Sequence, residues 1–195
     1  VSVVRTGHVT DYSTSTGISS DVMYRSDDNA ETWTKLETTF KGSQGTLSMS
    51  ADGEVILHRP DNSSDVYRSA DNGKTWEKVQ GLDGQSQYAR IVPDPVNAEK
   101  FYLVDAQGYL KVSTDKGATF ANAGTRLQND AAGEYYNGGG LIRTVPGKEG
   151  HLWVPLDQSQ VWLQKGYSEN GLAYSEDGGN TWTRLPAVST AISVG

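Results

Sequence analysis

An octet that recurs four times constrains this chain more than any other feature. Its form is Ser-x-Asp-x-Gly-x-Thr followed by Trp or Phe, and its copies begin at Ser26, Ser69, Ser113 and Ser175. They stand 43, 44 and 62 residues apart, so the last repeat carries an insertion of about 18 residues. A period of this length is that of a four-stranded propeller blade. Each octet follows a short strand-like run, at 21–25, 66–68, 109–112 and 172–174, and precedes another that opens at the aromatic residue. The octet therefore reads as a hairpin turn.

The residue types suit that role. Serine and aspartate side chains accept backbone N–H bonds within a turn, glycine tolerates positive φ, and the terminal aromatic can wedge between neighbouring sheets. The aspartates Asp28, Asp71, Asp115 and Asp177 and the aromatics Trp33, Trp76, Phe120 and Trp182 are accordingly assigned structural roles. Ala30 stands where the first copy should have glycine, which predicts strain or a shifted turn.

The remaining strands fall into fours. The second blade uses 46–50, 54–58, 65–68 and 75–79, the third 88–92, 100–104, 109–112 and 119–121, and the fourth 141–145, 151–155, 172–174 and 181–185. Before the first octet only one strand is visible, at 1–6, so that blade lacks its innermost strand. Helical periodicity of useful length is absent. The expected fold is an all-β propeller segment of four-stranded antiparallel blades. Its repeats lie near 1–41, 42–84, 85–137 and 138–188, with 189–195 opening a further blade. A register cut at both ends reads as a piece of a larger propeller.

Composition narrows the partners. With 17 Lys and Arg against 24 Asp and Glu, the chain carries a formal charge of −7 and no basic cluster in its sequence, which argues against nucleic acid and anionic membrane surfaces. There is no cysteine, hence no disulfide or thiolate metal site. His8, His58 and His151 fall in different blades without a close His or Cys partner, so zinc is not expected and they read as solvated or capping. Asp71-Asn72-Gly73 lacks the ligand alternation of an EF-hand, Gly138-Gly139-Gly140 lacks a strand-to-helix setting, and no Gly-x-Ser-x-Gly elbow occurs.

The octet is similar to the Asp-box of sialidases, sortilin-type receptors and several glycosidases. The wider text is more specific. Gly45-Thr46-Leu47-Ser48-Met49-Ser50-Ala51-Asp52-Gly53, Pro95-Val96-Asn97-Ala98-Glu99-Lys100-Phe101-Tyr102, Val145-Pro146-Gly147-Lys148-Glu149-Gly150-His151-Leu152-Trp153-Val154 and Val188-Ser189-Thr190-Ala191-Ile192-Ser193-Val194-Gly195 resemble successive blades of the second propeller of glycoside hydrolase family 74. That resemblance implies two seven-bladed propellers with a glucan in the cleft between them. It also implies inverting, cofactor-free hydrolysis by one aspartate from each propeller, in a secreted enzyme acting on the β-1,4-glucan backbone of xyloglucan. The family's Gly-Asp and His-Asp-Asp motif at the second catalytic aspartate has no match in these residues, and the first propeller is absent from them. No catalytic residue is carried over, and the expected role of this piece is cleft wall.

Carboxylates outside the octets, at Asp11, Asp61, Asp83, Asp105, Asp130, Glu134, Asp157 and Glu169, read as solvated loop residues. Strand alternation puts the octets on one face with the turns at 51–53, 93–99 and 146–150. The longer loops, 7–20, 59–64, 122–140 and 156–170, gather on the other, where binding residues tend to sit. Among them Tyr135, Tyr136, Trp162 and Tyr167 either offer flat faces to sugar rings or pack their loops onto the blade. Trp162, inside the insertion, is the foremost candidate. A different class of protein fits the same text: a non-catalytic propeller that binds carbohydrate or protein and closes on itself.

Overall fold

The computed structural model describes residues 3–10, 19–36, 45–60, 63–82, 90–105, 109–124, 142–156 and 171–185. These form four antiparallel sheets, with no helix among the described residues. The first contains β1 (Val3–Thr10), β2 (Ser19–Ser26) and β3 (Thr34–Leu36). The second runs β4 (Gly45–Met49), β5 (Ile56–Pro60), β6 (Tyr67–Ser69) and β7 (Glu77–Lys78). The third is β8 (Val92–Pro93), β9 (Phe101–Val104), β10 (Leu110–Ser113) and β11 (Ala121–Asn122). The fourth is β12 (Arg143–Thr144), β13 (Leu152–Leu156), β14 (Gly171–Ser175) and β15 (Thr183–Leu185). In every sheet spatial order follows chain order, the meander expected of propeller blades.

The innermost strands β4, β8 and β12 approach one another along the axis. In the first sheet β2 and β3 flank the octet as β6 and β7 do, so β1 matches β5 and the described residues of that blade lack an innermost strand. The β1–β2 hairpin is longer than its sequence implies. Pairing runs from Val3↔Ser26 to Thr10↔Ser19, which moves residues 7–10 and 19–20 from loop into strand. Strands after the octets begin one residue beyond the aromatic, because the aromatic side chain is committed to the turn. Residues 189–195 lie outside the described residues.

Three hydrophobic clusters fill the gaps between blades. Met23 and Leu36 pack with Leu47, Tyr67 and Trp76 between the first and second. Val55, Leu57, Ile91, Phe101, Leu103 and Phe120 anchor the second gap. Tyr102, Leu110, Ile142, Leu152 and Val154, with Trp182 against them, anchor the third. Strand alternation explains the division: Phe101 and Leu103 face one neighbour while Tyr102 and Val104 face the other.

The octets also serve as joints. A methyl at Gly73 would lie 2.6 Å from Leu36 Cδ1, one at Gly117 2.8 Å from Leu57, and one at Gly179 1.9 Å from Leu110 Cδ2, each leucine belonging to the preceding blade. Arg25 donates to the Asn72 carbonyl (2.8 Å), and Arg68, one octet later, donates to the Lys116 carbonyl (2.8 Å). Asp94, fully buried, accepts N–H bonds from Val96, Asn97 and, across the blade gap, Gly150, together with the Tyr102 hydroxyl.

Candidate functional site

The four octets have one geometry. The serine hydroxyl accepts the N–H of the fifth residue at 2.8 Å in all copies, at Ala30, Gly73, Gly117 and Gly179. Each serine donates in turn to the aspartate, as Ser26 does to Asp28 (2.7 Å). The aspartate accepts the threonine N–H at 2.9–3.0 Å through one oxygen and the threonine hydroxyl through the other. Ala30 keeps this turn unshifted at φ 71°, so the predicted departure takes the form of strain.

These bonds hold the carboxyl groups ionised. The threonine hydroxyl and N–H draw Asp28, Asp71 and Asp177 down to about 2. At Asp115 burial pushes upward, but the Thr119 and Ser113 bonds outweigh it and the group is also lowered. A general acid for glycoside hydrolysis needs the opposite displacement. The octet aspartates are therefore turn acceptors.

The two faces separate as their strand directions require. On the octet face, Lys116 pairs with Asp52 (2.9 Å) and Glu54 (2.8 Å), the Lys116 N–H donates to Glu99 O (3.0 Å), and Gly178 N–H donates to Gly150 O (2.9 Å). The Lys116 ion pairs join two blades, while the two backbone bonds each tie neighbouring turns of a single blade. Tyr135, Tyr136, Trp162 and Tyr167, expected on the opposite face, lie outside the described residues, as do Asp11, Asp61, Asp83, Asp130, Glu134, Asp157 and Glu169.

Three expectations need correction. Asp105 is buried rather than solvated, exchanging bonds with the Tyr109 backbone in a tight connection between β9 and β10. His58 is likewise buried, within β5, its Nδ1 3.2 Å from Thr46 O and its ring edge-on to Trp76. Burial draws it down to about 4, so it is neutral. Finally, a chain without a basic cluster in sequence acquires a small one in space. A cavity of about 440 Å³ on the axis is lined by β4, β8 and β12 residues and holds Arg90 and Arg143. Sequence reasoning missed both because 53 residues separate them; the signal was their place at the starts of two innermost strands.

The fold and its joints define the class: an all-β propeller of four-stranded blades whose octet turns lock each blade to the one before. The chain belongs to the Sortilin-Vps10 family, whose model, described as Sortilin, neurotensin receptor 3, matches residues 64–193. The likeness to glycoside hydrolase family 74 is borne out by relatives. A xyloglucanase from Paenibacillus sp. is 30% identical over 172 residues, which are 87% of this chain and 15% of that protein. The crystal structure of the GH74 enzyme from Niastella koreensis aligns with a TM-score of 0.69 at 33% identity, covering 87% of this chain and 22% of that one. The GH74 xyloglucanase structure from Xanthomonas campestris, at TM-score 0.59 and 23% identity over 94% of this chain and 30% of that one, bears on the fold alone. The chain thus spans less than a third of each of these relatives.

Proposed function

We propose that these residues form part of the second propeller of a secreted glycoside hydrolase that cleaves the β-1,4-glucan backbone of xyloglucan. The observation that carries the reading is the likeness over 87% of the chain to a xyloglucanase and to a GH74 structure. The role assigned to the chain is cleft wall. Every described carboxyl group that is displaced from its ordinary value is displaced downward, at Asp28, Asp52, Asp71, Asp94, Asp115, Glu149 and Asp177, which suits acceptors and not a proton donor. Inverting hydrolysis needs an acid and a base about 6.5–9.5 Å apart, and both are assigned to residues beyond this chain. The face opposite the octets, with Trp162, Tyr167, Tyr135 and Tyr136 on its loops, is assigned to the glucan.

The test is substitution in the full-length protein. Trp162→Ala is expected to raise the xyloglucan KM about tenfold or more, the effect of losing about 1.5 kcal/mol of aromatic contact. An unchanged KM and kcat would remove Trp162 from the cleft. Absence of hydrolysis by the unmodified full-length protein, with xyloglucan still bound, would favour the non-catalytic propeller.

A further inference from the structure

The axial cavity has the makings of a binding site. β8 and β12 both lead into turns on the octet face, so their first residues lie toward the opposite, loop-bearing face. Arg143 is the first residue of β12, and Arg90 stands two residues before β8 begins. Both line the same cavity of about 440 Å³, within the range of small-molecule sites. Its walls include Leu47, Ile91 and Val92, and its hydroxyls are Thr46 and Ser48. The Ser48 hydroxyl donates to the Ile91 carbonyl, which ties β4 to the next blade and leaves the oxygen fixed in place.

The charge pattern is the informative part. In a chain of net charge −7, two arginines line one cavity whose described lining has no carboxylate. Five described cations elsewhere are paired with acids: Arg25 with Asp27, Arg68 with Glu77, Lys78 with Asp65, Lys100 with Glu149 and Lys116 with two. Among the described residues Arg143 makes one bond, from Nη1 to the carbonyl of Ile142 (3.1 Å), and no other described group takes up its remaining donors. Arg90 is exposed and makes no hydrogen bond or ion pair among the described residues. Two arginines lining one cavity raise the positive potential there, and a guanidinium presents paired N–H donors that match a carboxylate or phosphate.

We infer that the axial cavity, with Arg90 and Arg143 as its donors, is a binding site for a small oxyanion of the carboxylate or phosphate kind. The inference does not rest on the glycosidase reading, because its test reads binding and not hydrolysis. The full-length protein is titrated calorimetrically with inorganic phosphate and, separately, with succinate, against sodium chloride of equal ionic strength. Saturable binding of at least one oxyanion, absent for chloride, is expected, and which of the two binds distinguishes the sources. Arg90→Gln and Arg143→Gln should each weaken that binding about tenfold or more, since a charge-assisted hydrogen bond contributes about 1.5–3 kcal/mol. Arg90 is exposed and has no partner among the described residues, so its replacement is expected to leave the fold intact and serves as the decisive variant. Arg143→Lys, which keeps the charge and loses the fork, should bind less tightly than the unmodified protein but more tightly than Arg143→Gln. Equal heats with chloride, or undiminished binding by Arg90→Gln, would overturn the assignment.

Discussion

Ala30 and Gly179 hold the same place in their turns with opposite consequences. Both have positive φ, 71° and 92°, but Ala30 carries a side chain there at a cost of about 1–2 kcal/mol. Ala30→Gly relieves that cost and returns some flexibility to the unfolded chain, so a net gain of about 0.5–1 kcal/mol is expected in urea unfolding. Gly179→Ala adds the same strain and drives a methyl into Leu110, for a loss of about 2–4 kcal/mol in the same assay. The turn was readable residue by residue because it needs only local chemistry. His58 shows the limit of such reading, since its burial depends on Trp76, 18 positions away. Its ring is lowered from 6.5 to about 4 by burial, so its contribution is fully present above pH 6.5 and is lost as pH falls through about 4. The full loss amounts to about 3 kcal/mol, and His58→Leu should flatten that part of the stability profile between pH 7 and 4.

Strands and turns were legible to within a few positions wherever hydrophobic alternation and a turn motif agreed, as in β9 and β10. Within the described residues β8 pairs only at Val92 and Pro93 and β12 only at Arg143 and Thr144, so 90–91, 142 and 145 fall outside the strands expected at 88–92 and 141–145. No pattern in the text announced Asp94 as the tie between the third and fourth blades. Its four accepted bonds join a turn of one blade to Gly150 of the next, a contact across 56 positions. Asp94→Ala would strand three backbone N–H groups and the Tyr102 hydroxyl, and a loss of about 3 kcal/mol or more is expected by thermal or urea unfolding. The carboxyl is held below its ordinary range by those bonds against the pull of burial, so this contribution too fades in acid.

Across the molecule the meander of blades was legible from the period alone, while the candidate glucan contacts were legible only as aromatic residues in long loops. What separates the two is repetition: a turn made four times leaves a signature, and a site made once does not. The division of labour between faces has a practical result. The hydrogen bonds described between blades through an octet lie on one side of the propeller, among residues such as Arg25, Arg68 and Lys116. The strand pair that ends at Leu156 and Gly171 opens toward the other side, away from those fastenings. Such a scaffold accepts loops exchanged, lengthened or trimmed as cassettes, so specificity can be rewritten on one surface while the assembly of the blades is kept by the other.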